Sequence, residues 1–138
     1  MSRKLIFAAG LIACFECHLH RPSDLDQVLR SSERLSRWQD FLRERFRATP
    51  LEIVANFLYG WNSPSACTLM DSYDSFLAIL RDEDKRQHLE KLRPEDRRRS
   101  SVFREVRDLG HSFQDALTKV FFEESHVVGN LVRRYGVF

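Results

Sequence analysis

An uninterrupted apolar run opens the chain: Leu5-Ile6-Phe7-Ala8-Ala9-Gly10-Leu11-Ile12-Ala13-Cys14-Phe15. No other window is comparable, so its fate sets both the compartment and the core. The run is far shorter than the roughly twenty residues needed to span a bilayer as a helix. With Arg3 and Lys4 before it, the run has the form of a short export signal. Leu11-Ile12-Ala13-Cys14 then reads as a lipobox, with Cys14 as the lipidated residue. Two features favour a retained, buried first helix instead: the brevity of the segment, and Phe15-Glu16, an awkward start for a mature tether. The expectation is a cytoplasmic protein, with an exported lipoprotein anchored at Cys14 as the alternative.

Everything behind this run is patterned for helices. Arg21-Pro22-Ser23 breaks the chain, and Ser23 caps a helix with Asp24 and Asp26 in its first turn. Up to Arg47 the apolar face is Leu25, Val28, Leu35, Leu42 and Phe46. Thr49-Pro50-Leu51-Glu52 reads as a capping box with Pro in the first helical position. The helix it opens carries Ile53, Val54, Phe57, Leu58 and Trp61, and ends near Gly60. Asn62-Ser63-Pro64-Ser65 caps the next, which turns Leu69, Tyr73, Phe76, Leu77 and Leu80 inward. The charged run from Arg81 to Arg86 reads as a solvated hinge or a short helix continuing through Leu92. After Arg93-Pro94 the spacing predicts the longest helix, over about residues 95–123, with Val102, Val106, Leu109, Phe113, Ala116, Leu117 and Val120 facing inward. Gly110 inside it costs about 1 kcal/mol relative to alanine, which a close neighbour or a bend would explain. A last short helix spans about Ser125–Tyr135 with Val127, Val128, Leu131 and Val132. No stretch alternates with period two. The sequence therefore predicts an all-α protein: a single domain over residues 1–138, a compact bundle of five to six helices around the apolar N-terminal one.

Net charge is only +2, against wholesale neutralisation of nucleic-acid phosphates as the main activity. Three cysteines are too few for a disulfide framework, in keeping with reduced thiols. Their placement raises one question of chemistry. Cys14, Cys17, His18 and His20 form a Cys-x-x-Cys-His-x-His cluster. Cys-x-x-Cys-His attaches haem in c-type cytochromes, and the same thiolates and imidazoles suit zinc. On a buried helix, however, Cys14 and Cys17 read as small packing residues. No cofactor is expected.

On the long helix, Arg104 and His111 stand two turns apart, opposite the Val106/Phe113 face. Arg104-Glu105-Val106-Arg107-Asp108-Leu109-Gly110-His111 resembles the Arg-to-His signature of the HEPN superfamily of helical ribonucleases, at its longest spacing. That resemblance implies a dimer that cleaves RNA, with His111 acting on the ribose 2′-hydroxyl and Arg104 holding the phosphate. The polar residue usual directly after the Arg is here the acidic Glu105, whose charge repels phosphate. The plain alternative is a solvated face with charge pairing such as Arg104–Asp108. Two acidic-x-x-His pairs, Asp108/His111 and Glu123/His126, have the spacing of di-iron bundles but lack the inward glutamates those need.

A final feature is a basic stripe on the second helix. Arg30, Arg34, Arg37, Phe41 and Arg45 share one side, and Arg97-Arg98-Arg99 is a candidate extension of it. Arginine and aromatics dominate protein hot spots, and the same mixture can hold phosphates and stack bases. The expectation is a non-enzymatic regulatory or protein-interaction protein that binds an acidic partner through this stripe and can form a homodimer. Nucleic acid is the less favoured partner, and the main rival is a ribonuclease using Arg104 and His111. A metal or haem protein using Cys14, Cys17, His18 and His20 is the second rival.

Overall fold

Helix caps and breakers cut the chain where local chemistry demands. The computed structural model describes residues 1–19, 36, 39–40, 42–44, 46–59 and 63–135; of residues 17–19, 127 and 135 it gives the backbone alone. Helix α1 covers Ser2–Leu19, α2 Pro50–Leu58, α3 Pro64–Arg81, α4 Glu83–Lys91, α5 Ser101–Phe122 and α6 His126–Tyr135, with a 3-10 turn at Pro94–Asp96. There is no strand among the described residues, and the all-α class holds. The contacts divide into two compact units, one holding α1 and α2, the other α3 to α6.

In the first unit, α1 packs on α2. The buried positions of α1 are Leu5, Ala8, Ala9, Ile12, Ala13 and Glu16, recurring at three and four residues, together with Phe15. Ile6 and Phe7 remain 58% and 44% exposed, so the run is amphipathic in use although continuous in sequence. Helix α2 begins on the expected box. Thr49 Oγ1 accepts from the Glu52 N–H at 3.3 Å, and the Glu52 carboxylate accepts from the Thr49 N–H at 2.6 Å. Hydrogen bonding from Thr49, its backbone N–H foremost and its side chain second, holds the Glu52 carboxyl below its ordinary value. Ile53, Val54 and Leu58 are buried; the helix stops at Leu58, with Tyr59 as an exposed C-cap. Trp61 and Gly60 lie outside the described residues.

The second unit is built on an antiparallel pair, α3 and α5. Ser63, the N-cap of α3, donates its hydroxyl to the Glu124 carboxylate just beyond α5, while Ser72 Oγ meets Ser112 Oγ at 3.1 Å midway. Phe113 is fully buried and its ring lies 6.0 Å from Tyr73 in a tilted pair. Leu69, Ala116 and Val120 are buried with it, and Val102, Val106, Leu109 and Leu117 are half-buried, as their spacing predicts. One inward assignment fails: Ile79 is buried and Leu80 is 36% exposed, because the α3 face runs through Ala66, Leu69, Ser72 and Ile79. Phe46 is likewise corrected, lying 57% exposed in a turn.

The long helix starts later than its spacing predicts. Pro94-Glu95-Asp96 makes one 3-10 turn, and Ser100 caps α5 by accepting from the Phe103 N–H at 3.1 Å. At its other end, the Arg133 guanidinium donates to the Phe122 carbonyl at 3.3 Å, meeting the negative end of the helix. Gly129 of α6 approaches that end closely: a Cβ there would sit 3.2 Å from the Phe122 carbonyl oxygen. Gly110 differs. A Cβ at that position meets nothing within 4 Å, so no close neighbour accounts for it.

These two glycines give a paired prediction. Gly110→Ala raises stability by about 0.5–1 kcal/mol through helix propensity, whereas Gly129→Ala lowers it because the Phe122 backbone must shift. Urea unfolding followed by circular dichroism reads both; equal effects at the two positions would contradict this packing.

Candidate interaction surface

Helix α4 buries nothing, so its existence has to be explained by caps and charge. Asp82 ends α3 and starts α4, its carboxylate accepting from the Lys85 N–H at 3.1 Å. A single residue thus resolves the charged run into a cap and a short helix. Glu83 binds Gln87 at 2.8 Å and pairs with Arg86, and these two hold its carboxyl below the ordinary range, Gln87 foremost. Two contacts tie α4 to α5: Lys85 Nζ reaches Glu105 at 3.1 Å, and His88 Nε2 lies 2.8 Å from Ser100 Oγ.

Ser100 is the anchor of the connection. It is 8% exposed, caps α5 through its hydroxyl, and accepts the Arg104 N–H at 3.1 Å through its carbonyl. Upstream, the Asp96 carbonyl takes the N–H groups of Arg99 and Ser100 at 3.0 and 3.1 Å, and the Asp96 N–H goes to the Arg93 carbonyl at 3.1 Å. The Arg97 guanidinium lies over the Phe103 ring, 5.8 Å from its centre. Three backbone bonds centred on Asp96, together with the Ser100 cap, thus hold the turn at residues 93–100.

What the turn presents is arginine. Arg93, Arg97, Arg98 and Arg99 are all exposed, with Lys91 before them and Arg104 and Arg107 behind. Residues 91–107 hold those seven basic groups and three acids, Glu95, Asp96 and Glu105; Glu105 is engaged by Lys85, and Arg107 pairs with Asp108. Arg93, Arg98, Arg99 and Arg104 form no side-chain ion pair with any described residue. Beside them a shallow cleft between α4 and the turn is lined by Asp84, His88, Lys91, Arg93 and Asp96, among others.

Arg104 and His111 project from α5 on the solvent side, both exposed, away from the Phe113 seam. Two turns separate them, about 10 Å along the axis. The expected Arg104–Asp108 pair is not formed: Asp108 takes Arg107 instead, at 2.9–3.0 Å. Binding by Lys85 partly offsets the charge of Glu105 that the ribonuclease resemblance has to overcome.

The Cys/His cluster is only partly in view. Cys14 is exposed, not a packing residue, because it lies on the side of α1 opposite Leu5, Ile12 and Glu16. The side chains of Cys17 and His18, and all of His20, fall outside the described residues, as do Arg30, Arg34, Arg37, Phe41 and Arg45. No three His, Cys, Asp or Glu side chains among the described residues are grouped to hold a metal ion. Among those residues no helix is long and apolar enough to cross a membrane.

Reading the sequence alone missed His88 and the anchoring role of Ser100. The signal was present in Ser100-Ser101, a pair of good cap residues, but Pro94 with two acids after it imitates an earlier helix start.

Ser100→Ala removes both the cap and the His88 contact, and costs about 1–2 kcal/mol, while Ser101→Ala, exposed in the first turn, stays within about 0.5 kcal/mol. Thermal unfolding of the two variants checks this. Equal stabilities would mean that Ser100 does not anchor the turn.

No protein-family model matches the chain, and neither does any curated protein or solved structure at a significant level.

Proposed function

We propose that this chain is a non-enzymatic regulatory protein of the cytoplasm that binds an acidic partner surface through exposed arginines. The observation that carries the proposal is the turn at residues 93–99, tied by backbone bonds through Asp96, on which Arg93, Arg98 and Arg99 stand exposed and unpaired. A pre-ordered backbone lowers the entropy lost on docking, and a planar guanidinium can take a carboxylate through two parallel bonds. Free arginines on a turn bonded through Asp96 suit a partner rich in Asp and Glu. In this proposal the stripe of Arg30, Arg34, Arg37, Phe41 and Arg45 serves the same class of partner.

A second reading keeps the ribonuclease. It is favoured by Arg104 and His111 both standing free to solvent on one side of α5, with Glu105 drawn to Lys85. An imidazole near neutrality can take a proton from a ribose hydroxyl, and an arginine can hold the developing phosphorane charge.

Fluorescence anisotropy with a labelled Asp/Glu-rich peptide and, in parallel, a labelled single-stranded RNA separates the two. The proposal predicts that the peptide binds more tightly and that Arg98→Glu with Arg99→Glu weakens it at least tenfold. Preferential RNA binding, with cleavage that disappears in His111→Ala, would replace it by the second reading.

A further inference from the structure

The larger unit also carries a surface of opposite sign. Asp71 and Asp74 on α3 lie on one exposed stripe with Cys67 and Ala78, spaced four, three and four residues apart. That stripe is opposite the Leu69/Ser72 face that packs on α5. Neither aspartate forms an ion pair or a side-chain hydrogen bond with a described residue. Four other acids of this unit are engaged, Glu83 by Arg86, Glu105 by Lys85, Asp108 by Arg107 and Glu124 by Ser63, while Asp84, Glu95, Asp96, Asp115 and Glu123 form no side-chain pair with a described residue. Two free carboxylates and a free arginine turn on one unit are complementary.

We propose that the acidic partner of the arginine turn is the α3 face of a second copy of this chain. Arg98 and Arg99 of one protomer meet Asp71 and Asp74 of its partner, and a two-fold axis repeats the contact in reverse. This rests on the reading of the turn as a docking surface and names its occupant. Cys67, Ser75 and Ala78 are small, so the two carboxylates stand clear for long arginine side chains. One exposed ion pair is worth little, but an isologous arrangement forms every pair twice, on groups already held in place. Net charge of +2 leaves little overall repulsion between copies. An association of this kind is sensitive to salt, since exposed pairs are screened within about 10 Å at 0.1 M.

Sedimentation velocity of the full chain tests it. The wild type is expected to dimerise at about 50 mM salt and to dissociate by about 500 mM as screening tightens. Arg98→Glu/Arg99→Glu alone and Asp71→Arg/Asp74→Arg alone are each monomeric, and an equimolar mixture of the two restores a dimer. Circular dichroism of each reversed chain should match the wild type; should one lose helix, the salt titration of the wild type still decides. A wild type that stays monomeric at low salt, a dimer indifferent to salt, or a mixture that fails to pair would overturn the proposal. A monomer that still binds the acidic peptide through Arg98 and Arg99 overturns only the second copy as occupant. Loss of both overturns the docking surface itself.

Discussion

The antiparallel packing of α3 on α5 is the interaction on which the larger unit depends. Phe113 is fully buried in it, tilted against Tyr73, with Leu69 and Val120 equally closed to solvent. Truncating a buried phenylalanine to alanine typically costs about 3–5 kcal/mol, a large share of a domain's net stability. Ser72 and Ser112 face each other at 3.1 Å in the same seam. Two small side chains whose hydroxyls satisfy one another allow such an approach without burying an unpaired polar group.

From that seam the polar part of the unit is suspended by bonds rather than by apolar burial. Helix α4 has no buried residue and holds its place through Asp82, Lys85–Glu105 and His88–Ser100. Lys85 and Glu105 are each more than a third exposed, so water screens that pair and its worth is small. Ser100 matters more, because it is buried and serves two elements at once: it starts α5 and receives His88 of α4. Such an arrangement can present charge in a fixed geometry while contributing little to the core.

Much of this was legible from the chain. Apolar spacing placed most of the α5 face, leaving out the buried Phe121, and Thr49/Glu52 and Ser63 acted as the caps their chemistry suggests. The errors have identifiable causes. Pro94-Glu95-Asp96 has every local mark of a helix start, yet only a 3-10 turn forms, because Ser100 offers a cap that is buried and shared with His88. Leu80 outranks Ile79 in no intrinsic way; the phase of α3 is set by Ala66, Leu69 and Ser72, and serine was not counted as a core residue. Cys14 sits in an apolar run but on its solvent side, since continuous hydrophobicity conceals which face of α1 is buried. The Arg turn was legible in composition only. That Asp96 ties its backbone and that Arg93, Arg98 and Arg99 form no ion pair is visible only in the folded chain.

Native-state hydrogen exchange tests most directly the claim that a stable α3–α5 seam carries a locally held polar turn. Amides in the middle of α3 and α5, around Ser72 and Phe113, should exchange slowest, by global unfolding. Those of α4 should exchange sooner, by local opening, and the Phe103 amide, bonded to Ser100 Oγ, should be protected above its neighbours Ser101 and Val102. Protection in α4 equal to that of the seam, or an unprotected Phe103 amide, would contradict the account.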